Sequence, residues 1–324
     1  MLSRRSALSV LGASALTPSQ ASAEVRSVRI GWLTAQTEAS LAPYIEAFRG
    51  NLPSVGLIEG RNLTIDFRYG NDRLDQVPAL ASELVALGVK LIVAQGSAVS
   101  VLSRLQLPVP VVFVQSGDPV SAGLATTLAR PKGNMTGLTF MSEELNGKRL
   151  ELLREIVPGL RRVALIGNPE HPGAHLERDY TAKVAGQLGL QLDYYPTATR
   201  DVLAAALQTL AASPPQAISI LGDGFALANR HAIITAATAL RVPVISAWRV
   251  FAESGAICTY GPQLEACYRR IAYYVDRILK GAAAADLPIE QPSQFELVAN
   301  QRTAAVLGLT LPPTILAAAD RVLD

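Results

Sequence analysis

Strand-like and helix-like segments alternate along this chain, and the alternation runs through twice. Apolar residues recurring at a period near 2 mark strands, and at 3.6 helices. The first series has strand patterns at 28–33, 62–69, 90–95 and 109–115, with helical patterns at 42–55, 74–87 and 97–105 between them. Gly88 stops the second helix, and Ser97 stands where a cap for the third belongs. The second series follows the stretch NGKRLELLREIVPGL. Its strands fall at 161–168, 190–195, 216–223 and 242–248, and its helices at 174–188, 202–212 and 227–240. Strands separated by helices pair in parallel through right-handed crossovers. The reading is α/β, with two similar, doubly wound parallel-sheet lobes. A strand at 255–260, a helix at 264–279 and a strand at 295–300 remain. They let the chain pass between the lobes more than once, a hinge suited to closing over a ligand. The glycines of GNMTGLT, 133–139, read as a loop leading to the first crossing.

Composition narrows the class. A chain of 324 residues exceeds what one core usually organises, and 49% apolar with 17% charged residues excludes disorder. At the N-terminus, Arg4 and Arg5 precede a short apolar run and then Ala21-Ser22-Ala23. That is the pattern of a signal peptide over 1–23, with cleavage expected before Glu24 and export to the periplasm. Ser3-Arg4-Arg5 followed by Leu8 partly matches a twin-arginine signal, and an ordinary secretory signal fits equally well. Removing both arginines takes the formal net charge from +2 to 0, so the mature chain has no charge excess to suggest nucleic acid. Cys258 and Cys267 could pair in an oxidising compartment, or be two buried thiols on a strand and the next helix. Two cysteines and three scattered histidines offer no metal-ligand spacing, and no cofactor is expected.

Function is read from the strand ends. In VVFVQSGDPV a core strand stops in an amide, a hydroxyl, a glycine and a carboxylate. Ligands of parallel sheets bind beyond the carboxyl ends of the strands. The candidate site residues at those ends are Thr34, Gln95, Gly96, Ser97, Gln115, Ser116, Asp118, Asn168, Asp223 and Trp248. Gly96-Ser97 at a helix start suits a carboxylate, with a plain Ser cap as the alternative. Asp118 before Pro119 caps a turn or lines the cleft. Asp223, between two glycines, meets a ligand ammonium or makes an Asx-turn. Trp248 stacks on a ligand or packs between lobes. No G-x-S-x-G elbow, Walker-type phosphate loop or G-x-G-x-x-G fingerprint occurs, so an enzyme is not expected. His171, His175 and His231 read as surface residues.

The stretches LTIDFRYGNDRLDQVPALASELV, VPVVFVQSGDPVSAGLATTLARPKGNMTGLTF, KRLELLREIVPGLRRVALIGNPEHP and FELVANQRTAAVLGLTLPP carry a resemblance. The chain resembles the ABC transporter substrate-binding protein family, related to tryptophan-binding proteins of the TrpX type. The resemblance implies a periplasmic-binding-protein type I fold with three inter-lobe crossings. It also implies a small zwitterionic ligand, such as an apolar or aromatic amino acid, delivered to an inner-membrane ABC permease. The chain departs from the family pattern at Gly96-Ser97-Ala98, where Gly-Thr-Pro is common, and at Asn168-Pro169-Glu170-His171-Pro172. On this reading 24–141 with 262–292 form lobe 1, 142–261 with 293–324 form lobe 2, and the protein is a monomer. A ligand sensor that partners a signalling receptor is the alternative; a neighbouring permease and ATPase would separate the two.

Overall fold

A computed structural model describes residues 27–131, 133–140, 143–171 and 173–324; the expected signal segment 1–23 lies outside them. Valine- and isoleucine-rich runs form the first sheet: β1 Val28–Thr34, β2 Leu63–Tyr69, β3 Ile92–Gln95, β4 Val111–Gln115 and β5 Met135–Thr139. All pair in parallel, in the order β2-β1-β3-β4-β5. Helices α1 Glu38–Asn51, α2 Val77–Ala86 and α3 Ala98–Leu102 connect them. Because helices cover both faces, the central strands are buried throughout, as Ile30, Leu33, Val93, Val112, Phe113 and Val114 are.

After α4, Glu143–Ile156, the second sheet is built from β6 Arg162–Gly167, β7 Gln191–Pro196, β8 Ala217–Ile220, β9 Val244–Ser246, β10 Cys258–Pro262, β11 Phe295–Asn300 and β12 Arg321–Leu323. Their order is β12-β11-β10-β9-β8-β6-β7. The intervening helices are α5 Ala174–Gln187, α6 Arg200–Ala212, α7 Gly224–Ala228, α8 Arg230–Ala239 and α9 Arg249–Glu253. The long helix α10, Leu264–Leu279, leaves this lobe and lies along α1 of the first. Tyr44 and Tyr268 stack at 5.1 Å, and the Asn51 amide donates to the Arg269 carbonyl at 2.9 Å. The chain then runs beside β5, where the Glu290 N–H donates to the Gly137 carbonyl, and returns as β11. Helices α11 Gln301–Leu307 and α12 Pro313–Ala318 close the second lobe.

Several expectations are corrected. The segment read as a glycine loop is largely strand β5. Gly137 conceals it: a Cβ there would lie 1.9 Å from the Phe113 carbonyl oxygen, so the strand can lie against β4 only without a side chain at 137. The second sheet is not wholly parallel. β11 pairs antiparallel with β10, because the chain enters it from the other lobe and not from a crossover helix. The helix read over 97–105 is only Ala98–Leu102, and 227–240 breaks at Asn229 into α7 and α8. Cys258 and Cys267 are free and buried, one on β10 and one on α10, and burial pushes both thiols up to about 12. No helix of the described residues is long and apolar enough to cross a membrane.

Candidate ligand-binding cleft

The segments following β1, β2, β3, β6, β7 and β8 line one gap between the lobes. Ala35, Gln36, Asp72, Leu74 and Ser97 come from the first lobe, and Asn168, Glu170, Ala198 and Phe225 from the second. The gap encloses about 60 Å³. That is far below the roughly 300–1,000 Å³ of a typical small-molecule site, so the lobes stand pressed together. Among the described residues, three polar contacts cross this gap. Gln36 Nε2 donates to the Gly224 carbonyl at 2.5 Å, Ser116 Oγ donates to the Gly222 carbonyl at 2.5 Å, and Arg200 meets Asp72 at 2.6 Å. The wider hollow of about 370 Å³ beside Cys267 and Arg270 is lined by α10 and the 290–294 segment, away from these strand ends.

In the first lobe the candidates occupy two layers. Thr34 and Gln95 form the inner one. Thr34 Oγ1 donates to Gln95 Oε1 at 2.8 Å and accepts the Gln36 N–H at 3.1 Å. Both amide and hydroxyl are thus committed to protein partners and fix the ends of β1 and β3. Gly96, at φ +63°, turns the chain, and Ser97 is half-buried at the cavity wall. Ser97 does not cap α3 with its side chain; its own backbone is helical, so its hydroxyl is not turned back on the first amides. Gln115 is 1% exposed, and neither its Oε1 nor its Nε2 has a partner among the described residues. Asp118 is occupied by its own turn, accepting from the Val120 N–H at 2.9 Å and the Ser121 hydroxyl at 2.6 Å.

In the second lobe Asn168 Oδ1 accepts the Glu170 N–H at 3.0 Å and shapes the loop after β6. Asp223 is 2% exposed. One carboxylate oxygen caps α7, accepting from the Phe225 and Ala226 N–H groups at 2.6 and 3.2 Å; the other, Oδ2, has no partner among the described residues. Burial pushes the Asp223 carboxyl above its usual value, and the nearby His171 opposes this. Trp248 is buried and meets Phe140 edge-on at 6.1 Å, so it packs between lobes near a crossing and not in the cavity wall.

His171 is a correction: His175 and His231 are exposed, but His171 is buried. Its Nε2 lies 3.6 Å from Glu177 Oε1. Burial pulls the imidazole down, but the contact with and charge of Glu177 outweigh it, and its pKa is raised. Behind Glu177 lie Asn146 and the fully buried Arg149, whose Nε donates to the Tyr260 carbonyl at 2.8 Å; burial brings this guanidinium down to about 10. The sequence hides this network because its members come from α4, α5 and the loop before α5, and none is apolar. Asp72 was missed as a candidate, and Gln36, though it stands among the strand ends, was not named as a site residue. Gln36 sits just past β1, and Asp72 lies in the loop after β2, beyond the strand pattern at 62–69. Among the described residues no three His, Cys, Asp or Glu side chains gather as a metal site.

Comparison with known proteins matches this arrangement to relatives. The ABC transporter substrate binding protein family matches residues 38–323. A tyrosine-binding protein of Clostridioides difficile strain R20291 is 21% identical over 260 residues, 80% of this chain and 74% of that one. A Streptococcus pneumoniae ABC domain solved with L-Trp is 21% identical, with a TM-score of 0.84 over 92% of this chain and 100% of that one. The ligand-free, open structure of a substrate binding protein with adhesive properties from Clostridium difficile is also 21% identical, with a TM-score of 0.64 over 91% of this chain and 99% of that one. The fold is the two-lobe periplasmic-binding-protein type I architecture, and the chain belongs to the ABC transporter substrate-binding protein family.

Proposed function

We infer that the protein binds an amino acid with an apolar or aromatic side chain between its lobes and delivers it to an inner-membrane ABC permease. The observation that carries this is the set of buried polar atoms left without partners at the strand ends of both sheets: the Gln115 amide in one lobe and Asp223 Oδ2 in the other. A buried unpaired polar group costs about 1–3 kcal/mol, a loss that a bound ligand can offset. In this reading Asp223 takes the ligand ammonium, while Ser97 Oγ and Gln115 Nε2 face its carboxylate. Gln36 closes over the ligand from the first lobe. None of the residues lining the cavity is Lys or Arg, and Arg200, which reaches the lining residue Asp72, is paired with it; this disfavours a phosphate or polyanion. The ligands of two relatives, tyrosine and L-Trp, support the amino-acid class.

The mechanism is a population shift. The ligand drives closure only by binding the closed form better than the open one. Residues 24–141 with 262–292 then act as lobe 1, and 142–261 with 293–324 as lobe 2. Supporting this division are the two sheets and the packing of α10 against α1. Residues 1–23 serve as a signal peptide, and the mature protein works in the periplasm as a monomer without catalysis.

Native mass spectrometry followed by titration calorimetry with amino acids, sugars, nucleosides and polyamines tests the reading. Binding of L-tyrosine or L-tryptophan is expected. A hydrogen bond to a charged group is worth about 1.5–3 kcal/mol, so Asp223→Asn should weaken binding about ten- to a hundredfold, and Ser97→Ala less. Sugar or nucleoside binding with all amino acids silent would show the assignment to be wrong.

A further inference from the structure

The loop after β2 has an unusual backbone. Asn71 and Asp72 are consecutive non-glycine residues with left-handed φ, +51° and +66°. Side-chain-bearing residues avoid this region because Cβ crowds the backbone, and such outliers persist where surrounding structure enforces them. Here three backbone bonds enforce it. The Gly70 N–H donates to the Thr34 carbonyl at 2.8 Å, the Asp72 N–H to the Ala35 carbonyl at 2.7 Å, and the Asn71 N–H to the Gln36 carbonyl at 3.3 Å. Gly70 allows the approach, since a Cβ there would meet the Arg73 carbonyl oxygen at 2.8 Å. The loop is therefore fastened to the end of β1, beside Gln36.

What this arrangement presents is the Asp72 side chain, 11% exposed, at the rim of the cleft. Its Oδ2 meets a guanidinium nitrogen of Arg200 at 2.6 Å. Arg200 opens α6 in the other lobe, on a helix whose cap is secured separately by Thr199 Oγ1 accepting the Val202 N–H. The pair thus joins two anchored points that belong to different sheets. Opening the cleft separates them without disturbing either lobe.

We propose that Asp72 and Arg200 form a latch that holds the closed state and sets how long a ligand is retained. The latch rests on the reading of the cleft as a ligand site, but not on the ligand's identity. It acts on release: the pair forms only after closure, so its loss raises the dissociation rate and leaves association unchanged. Arg200 is 66% exposed, and exposed ion pairs shift an equilibrium by about two- to fivefold, less at high salt. Asp72→Asn preserves the loop, because asparagine tolerates left-handed φ. Arg200→Gln preserves the helix, and Arg200→Glu adds repulsion.

Two measurements separate the latch from the ligand assignment. Nitroxide labels at Ile58 and Val306, exposed positions on opposite lobes, report the closed fraction by electron–electron resonance with no reference to a ligand. The closed-to-open ratio should fall about two- to fivefold in Asp72→Asn and Arg200→Gln, further in Arg200→Glu, and in the unsubstituted protein at about 1 M salt. Equal closed fractions in the unsubstituted protein and Arg200→Glu would overturn the latch. Stopped-flow release of L-tyrosine should speed up by the same factor in Arg200→Gln with the association rate unchanged. A slower association at constant release would likewise count against it. If L-tyrosine gives no response in the unsubstituted protein, the amino-acid assignment fails, and the label distances still decide the latch.

Discussion

Asp223 illustrates the conflict between binding and stability at the scale of one residue. Burial raises its folded-state pKa above the usual value, with His171 opposing. A carboxyl raised in this way adds stability below its unfolded pKa and loses it as pH rises through the folded value. Once pH rises through that raised value the carboxyl ionises with Oδ2 unpaired among the described residues, which disfavours the unliganded fold. Asp223→Asn keeps an oxygen to cap Phe225 and Ala226 but removes the charge. The unliganded variant should melt higher at pH 7, by the roughly 2–4 °C that about 1 kcal/mol gives in a domain of 150–250 residues. That gain should vanish near pH 4, while ligand binding weakens at pH 7. Differential scanning calorimetry across pH checks this; a lower melting temperature at pH 7 would mean that the carboxylate is compensated within the protein. The sequence placed Asp223 at a strand end between glycines, and that much was legible. The burial of His171 was not, because its neighbours Glu177 and Asp223 are polar and leave no apolar signal in the sequence.

Among elements, most strands and long helices were legible, but α4, β5, β12 and the short helices were not. The helix α10 matches its periodic pattern at both ends, because sixteen residues carry several turns of apolar spacing. Helices α3 and α7 have five residues each, too few to show a period, and their positions are set by strand ends and caps. Strand β5 was lost behind Gly137, although the glycine is what lets it pack. Gly224, the first residue of α7, gives an element-scale test. A Cβ there would lie 2.4–2.6 Å from the side-chain amide of Gln36, in the opposite lobe, and would meet nothing nearer within its own. Alanine also suits a helix better than glycine, by about 1 kcal/mol. Gly224→Ala should therefore leave the open lobe intact or firmer, displace Gln36 from the Gly224 carbonyl, and weaken ligand binding severalfold. Calorimetry paired with a thermal melt separates these effects; unchanged affinity would remove the Gln36–Gly224 contact from the closing mechanism.

For the whole molecule, the balance between open and closed forms follows from how little joins the lobes at the cleft. Across that gap run Gln36–Gly224, Ser116–Gly222 and Asp72–Arg200, with Gly117 and Gly173 approaching closely enough that a Cβ on Gly173 would lie 3.4 Å from the Gly117 Cα. These are polar or backbone contacts with little apolar area, so water can replace most of them on opening. The hinge side is more firmly built. Trp248 packs on Phe140, Arg149 ties α4 to the Tyr260 carbonyl, and Arg249 of α9 pairs with Glu265 of α10 across the Pro262–Leu264 crossing. On the proposed mechanism, rotation about the crossings opens the strand-end side, and a ligand partnering Gln115 and Asp223 would tip the balance back. A compact chain of about 300 residues has a radius of gyration near 19 Å. Small-angle scattering at ligand saturation should approach that value, and the unliganded protein should be larger. With L-tyrosine or L-tryptophan at saturating concentration and binding verified by calorimetry, an unchanged radius would leave the binding role standing and remove lobe closure as its mechanism.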